Sequence, residues 1–398
     1  MRCTFLFIGT MALATACGDP GRSGLPTAQD VVPTPGDYVA VDLSILANPN
    51  PSGGVAGMAW DINDLGQVVG QTQAADGTSH AFLFNGVMRD LGTLGGDSSV
   101  AYAVNKLGHV AGRSKNAAGE WRAFLWDGTA MRDLGSAYLR PYLNDNDQAA
   151  WTGVTADGSL HAFLWDNGTL RDLGTLGGPS SFVNAIGDQG QVIGISRVDS
   201  TYRQHGFRWA DGVMTDLGRL EPHAINTSGW IVGLSPWADT IPPYPVFATL
   251  LHGDSALNLG TLPGHYESSA SAVNGRGEIA GISVSSWGGD FYYPFVWQDG
   301  VMRALDPAYP SAFHQRVVAI NDNGFVIGHR PVNPHAYQAT VWAPDGTGQN
   351  LGTLGGEGSD ATAINEQGVV VGWATTASNN QMRAVLWMPL SIQVVAVR

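Results

Sequence analysis

Charge is scarce in this chain, and positive charge is scarcer still. Charged residues make up 14% of the 398 positions, against roughly a quarter in an average globular protein. Lysine occurs only as Lys106 and Lys115, arginine supplies the rest of the 20 cationic side chains, and the formal net charge is −14. No basic run offers a grip on a phosphate backbone, which excludes nucleic acid and anionic membrane surfaces as partners. Cysteine is nearly absent: Cys3 and Cys17 are the only two, both near the N-terminus, so no internal disulfide framework supports the fold. The apolar stretch from Thr4 to Ala16 falls short of the ~20 residues that a membrane-spanning helix needs. The Gly-Gly pairs lack the Lys and Ser/Thr of a phosphate loop, and no nucleophile elbow is present. No cofactor is expected.

What the chain has instead is glycine, 53 of them, nearly twice the usual share of about 7%. With 44% hydrophobic residues there is ample material for a core, so this composition reads as many short strands and turns. The N-terminus opens with Arg2, runs apolar, and reaches Cys17 through Leu13-Ala14-Thr15-Ala16, the layout of a secretory signal. It resembles the bacterial lipoprotein processing site, with Leu13 one place earlier than that family's usual leucine. The resemblance implies a signal peptide over 1–17, lipid on Cys17 and a membrane-anchored lipoprotein at the outer membrane or cell surface; a plainly cleaved signal would give a secreted protein. Residues 18–38, rich in Pro, Gly, Ser and Thr, read as a flexible tether, so the only membrane contact expected is through the lipid.

From residue 39 onward one pattern recurs, N-x-x-G-x-V-x-G. Degenerate copies begin at Asn63, Asn105, Asn144, Gly187, Asn226, Asn274, Asn321 and Asn365, an average period of about 43 residues. That period suits a four-stranded blade, and glycine every few positions rules out helical repeats. In Ala101 to Gly135 the four strands fall at Ala101–Val104, His109–Arg113, Ala123–Trp126 and Met131–Leu134. The Asn closes the first turn with its side chain, and the Gly ending the turn takes positive φ. In the third copy Asp147 stands in that Gly's place, marking this blade as the most strained. The third strand carries Phe84, Trp126, Trp165, Trp209, Leu251, Trp297, Trp342 and Trp387 at one place, read as core between blades. The expected fold is all-β, a single β-propeller over 39–398 of about eight four-stranded blades, with seven as the alternative. Asp42-Leu43 matches the end of a fourth strand, so Val39 to Leu43 is expected to complete the last blade, with Ile392 to Val397 as competitor for that edge.

The runs His80-Ala81-Phe82-Leu83-Phe84 and His161-Ala162-Phe163-Leu164-Trp165, with Asp90-Leu91-Gly92-Thr93-Leu94-Gly95-Gly96 and its copies at Asp172 and Asn350, resemble the HAF family of extracellular bacterial repeat proteins. The resemblance covers nearly all of 39–398 and implies export and repetition. It carries no catalytic residues across, so function has to be argued from the site.

Acids that recur in every copy, such as Asp90, Asp133, Asp172 and Asp216, read as structural. His80 and His161 read as hydrogen-bonded strand residues, and Asn321 to Gly324 as a turn rather than a calcium loop. His314, His329 and His335 are unmatched, but a zinc site needs three or four converging ligands; no metal is expected. Variation concentrates elsewhere. The spacing from the leading Asn to the later Gly position is seven in all eight copies, whereas from that Gly to the third strand it is eleven or twelve in most, fifteen in the fifth and thirteen in the sixth. The two long loops carry Trp237 and Tyr244, then Trp287, Phe291, Tyr292 and Tyr293, with Tyr266 on the connection between them. These aromatics, rimmed by Asp239, Glu267 and Asp290, are the candidate platform for a glycan or a protein. The expected function is binding or scaffolding by a monomer. The alternative is a carbohydrate-active hydrolase or lyase built on the same three acids.

Overall fold

The computed structural model describes residues 5–8, 11–14, 38–43, 57–74, 77–200, 203–236, 245–285, 291–307, 315–333, 335–378 and 380–390. Apart from a short ladder joining Phe5–Ile8 to Met11–Ala14, the strands form antiparallel units of four. Six are separate four-stranded sheets; the other two are joined into one eight-stranded sheet by a single parallel bridge between Ser79 and Ser98. In chain order units 1 to 7 span 57–90, 95–136, 142–172, 181–216, 221–258, 267–304 and 316–350. Unit 8 takes its first three strands from 355–389 and its fourth from Tyr38–Asp42, which pairs antiparallel with Met382–Pro389.

Local chemistry explains the unit. The turn after each first strand has its glycine at positive φ, as at Gly66 (74°), Gly108 (79°) and Gly324 (79°), and Asp147 takes the same conformation at 62°. The later glycine of the motif serves a different need. In seven units the first strand bulges just before its Asn, between Ala59 and Asp61 in unit 1 and between Ala270 and Ala272 in unit 6. The bulge drives a carbonyl onto the second strand, where a Cβ at Gly70 would collide with the Met58 carbonyl and one at Gly281 with the Ser269 carbonyl. Unit 3 is the exception that tests this. Trp151 replaces the glycine, the first strand shrinks to Tyr142–Leu143, and the Trp151 indole N–H donates to the Ser136 carbonyl at 2.8 Å.

Apolar residues are buried between sheets. Phe82, Phe84, Trp342 and Trp387 are fully buried, whereas Trp165 and Trp209 in the same series stay half-buried. Unit 8 packs on unit 1 as others pack on their neighbours, through Val369, Val371 and Leu386 against Ala59, Val68 and Phe84. First strands touch one another in succession, and the first strand of unit 8 touches that of unit 1.

Candidate functional site

At the end of the sheets where first strands turn into second strands, every polar repeat residue is engaged. The seven leading asparagines are all at most 8% exposed. Asn63 accepts the amides of Leu65 and Gln67 on Oδ1 at 3.1 and 3.0 Å, closing its own turn. Its Nδ2 donates to the Asn105 carbonyl of the next unit at 2.8 Å, and Asn105 reaches Asn144 in the same way at 3.2 Å. The series continues from Asn144 to Gly187, then from Asn226 to Asn274, Asn321 and Asn365, and Asn365 returns to Asn63 at 3.2 Å. Only Gly187, which has no side chain, interrupts it. Beside that interruption lies a 260 Å³ cavity lined by Gly187, Asn226 and Asn274. The turn acids form a parallel row: the amides of Gly275, Asp322 and Glu366 donate to Asp322, Glu366 and Asp64 at 2.6, 3.0 and 2.9 Å. Asn321 to Gly324 is thus a structural turn.

The opposite end carries the remaining repeated charges. His80 pairs with Asp90 at 2.8 Å, Arg122 with Asp133 at 3.0 Å, His161 with Asp172 and His205 with Asp216 both at 2.9 Å. Each aspartate also accepts the amide two residues on, from Gly92, Gly135, Gly174 and Gly218. In units 5 to 7 the equivalent positions hold neutral residues, Phe247 and Asn258, Tyr293 and Ala304, Gln338 and Asn350, and Asn350 accepts instead from Arg330 at 2.6 Å. His329 bonds Asp360 at 2.9 Å and the His335 amide donates to Asn333; among the described residues no three metal-ligating side chains come together.

Of the platform residues, Trp237, Asp239, Tyr244, Trp287 and Asp290 lie outside the described residues, as do Cys17 and His314. Glu267 opens the first strand of unit 6 with Tyr266 just before it, and burial pushes the Glu267 carboxyl up while the Val246 amide opposes the rise. The Phe291 carbonyl accepts the Ser285 amide at the base of the long loop. Tyr292 and Tyr293 are consecutive on one strand and point to opposite faces: Tyr292 packs on the core with Val284, Leu305 and Val317, Tyr293 on the core with Val232 and Phe295. Tyr293 also meets the His265 ring at 4.6 Å. These two tyrosines do not share a surface.

The structure assembles a group that the repeat reading passed over. The residue two before the leading Asn is Ala in six units, but Asp61 in unit 1 and Tyr142 in unit 3. The bulged residue beside it varies from unit to unit, and is Trp60 in unit 1 and Tyr102 in unit 2. Their rings meet at 5.4 Å. Asp61 accepts the Ile62 and Val104 amides, both at 2.9 Å; burial pushes its carboxyl up to about 6, opposed by those amides and by Arg140. Arg113 lies 4.9 Å over the Trp121 ring and 5.7 Å over that of Tyr102, donating to the Tyr102 hydroxyl at 3.3 Å and the Tyr138 carbonyl at 2.8 Å. Arg140 lies 5.1 Å over Tyr142 and donates to its hydroxyl. Residues 137–141, standing where other units extend their first strand, leave Tyr138 53% and Leu139 40% exposed. Departure from the repeat at a fixed offset was the available signal.

No family model and no curated protein sequence matches the chain. Solved structures do. The β-propeller domain of the Trilobed protease from Pyrococcus furiosus superimposes with a TM-score of 0.51 at 11% identity, over 72% of this chain and 91% of that one. The fold is a β-propeller. A puromycin-hydrolyzing peptidase from Mycobacterium tuberculosis gives 0.49 at 12% identity over 81% of the propeller chain and 58% of its own. TolB from Acinetobacter baumannii gives 0.39 at 12%, over 73% and 77%. Likeness at these identities concerns fold alone, so the chemistry of the propeller has to come from its own residues.

Proposed function

We propose that this chain is an exported binding or scaffolding propeller of the HAF-repeat type, eight-bladed and monomeric, closed by Tyr38–Asp42 and tethered through the residues between Cys17 and Tyr38 to a lipid on Cys17. Its ligand is a glycan or a protein, met at the loop end of the blades. One observation carries this reading. The repeated asparagines and the His/Arg–Asp pairs are occupied by backbone or by one another, whereas the unrepeated aromatics and guanidiniums around Trp60, Tyr102, Arg113, Arg140 and Tyr142 stand half-buried or exposed along the first strands and on the connection into unit 3. A scaffold whose constant groups hold it together and whose variable groups face outward is built to bind.

The test is a screen of purified protein against glycan and peptide libraries, run beside a turnover assay on mixed polysaccharides. Saturable binding without product release is expected; release of products would overturn the reading. Closure has its own test. Removing Tyr38–Asp42 strips the fourth strand from blade 8 and should lower the unfolding temperature by many degrees, while an unchanged value would refute the closing role. Cys17→Ser should move the protein from the membrane fraction to the soluble one.

A further inference from the structure

We infer that the cavity between blades 4 and 5 binds a small aromatic carboxylate, a ring with one acid group a few atoms away. The inference goes beyond the binding reading above and does not rest on it, since none of the variable residues named there lines this cavity.

The other interfaces are built one way. In seven blades the third-strand residue before the ring position is a Leu or Val, from Leu83 to Leu386, none of them more than 8% exposed. It shares a core with a ring of the following blade, as Leu83 does with Trp126 and Leu250 with Trp297. Arg89 and Arg132, on the fourth strands, then cover such a ring, lying 4.6 Å over Trp126 and 5.7 Å over Trp165. Blade 4 against blade 5 departs at each of these offsets. Arg208 stands where the other seven have Leu or Val, Leu251 where they have Phe or Trp, Thr249 where five have Phe, and Thr215 where four have Arg. All four line one cavity of 470 Å³, and the core beside it has only Ile193, Leu220, Ile231 and Leu251 as buried members. Unrelated changes would scatter around the ring of blades. Here they meet at one interface, and each opposes stability: lost rings forfeit packing, and a cation replaces a buried aliphatic side chain.

The lining decides what fits. None of the described residues around the cavity is aromatic; Leu217, Leu220, Pro236 and Leu251 supply apolar wall, and the Ser235 and Thr249 hydroxyls meet at 3.3 Å. A sugar finds no ring to stack on here, whereas a ligand that brings its own ring fills space that Phe and Trp fill elsewhere. Arg208 has no hydrogen-bond or ion-pair partner among the described residues. That separates it from Arg89, Arg132 and Arg303, which a carbonyl or a ring engages. Its planar fork of donors matches a carboxylate. Arg219, Asp216 and Asp254 also line the cavity, and Asp216 is already held by His205 and the Gly218 amide. With Arg208 these four formal charges cancel. Attraction therefore comes from direct contact with Arg208 rather than from a general positive field, and the two aspartates oppose a phosphate or a dicarboxylate more than a single acid group.

Titration calorimetry of the full chain with indole-3-propionate tests this, beside 3-indolepropanol, which lacks the acid, and hexanoate, which lacks the ring. Binding is expected for indole-3-propionate alone. The variants restore what the repeat has elsewhere, so folding should survive them. Arg208→Leu should weaken binding about tenfold or more, Leu251→Trp should abolish it by filling the space, and both should raise the unfolding temperature. Should tryptophan overpack and lower that temperature, Leu251→Phe repeats the test with a smaller ring. The tripeptide Gly-Gly-Trp presents the same ring and acid at a chain end, so its affinity relative to indole-3-propionate tells a peptide terminus from a free acid as the source. Undiminished binding by Arg208→Leu, or equal binding of the alcohol, overturns the carboxylate; equal binding of hexanoate overturns the ring. Undiminished binding by a folded Leu251→Trp or Leu251→Phe overturns the site. No binding of indole-3-propionate or the tripeptide to the unaltered chain overturns the whole proposal and leaves the glycan or protein reading to its own screen.

Discussion

The two ends of the propeller obey different rules. At the turn end one residue type at one offset does the same thing in seven blades, and a hydrogen bond at 2.8 to 3.2 Å passes from each asparagine to the neighbouring blade. At the loop end the corresponding fixture, the His/Arg–Asp pair, is found in blades 1 to 4 and is replaced by neutral or aromatic residues in blades 5 to 7. Burial accounts for the difference. A buried asparagine using both ends of its amide has no substitute, whereas a half-exposed ion pair contributes little and can be lost.

The sharpest way to break the comparison is Asn321→Asp. The donor facing the Asn365 carbonyl becomes an acceptor, and a carboxylate is buried beside it at a position only 4% exposed. A loss of about 3–5 kcal/mol is expected in denaturant unfolding. A loss below about 1 kcal/mol would mean that the asparagine series merely accompanies the fold.

Asp61 gives the next largest effect, and one that depends on pH. Its folded carboxyl titrates at about 6 rather than 3.8, so the folded protein keeps the proton longer than the unfolded chain. Its contribution to stability therefore falls as pH rises from about 4 to about 6 and is level above that. Asp61→Ala, which installs the residue most other blades have, should remove this slope: the stability difference between protein and variant should shift by up to about 3 kcal/mol across the window. Parallel curves would refute it.

At the loop end, His161→Ala should cost less than about 1 kcal/mol, because Asp172 is 43% exposed and keeps the Gly174 amide. Smallest of all is Gly187→Asn. Gly187 does not have a positive φ, and the nearest atom to an added Cβ is the mobile end of Gln191. The new side chain could reach the Asn226 carbonyl and complete the series, for a gain of up to about 1 kcal/mol in thermal unfolding.

Repetition made the turn end legible. Asn63 through Asn365 recur at one offset, their role in closing their own turn follows from residue chemistry, and Asp147 in a glycine's place implies positive φ. The reach of each Nδ2 across to the next blade is not legible, because it depends on two turns 42 or so residues apart meeting side by side. The His–Asp pairing is half legible: the sequence marks His80 and His161 as hydrogen-bonded strand residues, but does not single out Asp90 and Asp172 as the partners. Trp60, Tyr102 and Arg113 escaped because a consensus reading discards what varies. Tyr292 and Tyr293 show the reverse, since strand alternation alone would have sent neighbouring side chains to opposite faces.

The pairing of Tyr38–Asp42 with Met382–Pro389 joins strands from nearly opposite ends of the chain. Tyr38 lies opposite Pro389, so the Tyr38–Asp42 strand, made before any strand of units 1 to 7, must wait for its partner until almost the whole chain has been synthesised. A contact that distant in sequence is slow to find, and the search is made with an open hydrogen-bonding edge and with Leu43 and Phe84 short of their partners from blade 8. Incomplete chains are then sticky as well as unfinished, and a break near residue 380 should be as damaging as one near residue 40. Maturation is set by the arrival of the last strand rather than by the pace of any single blade.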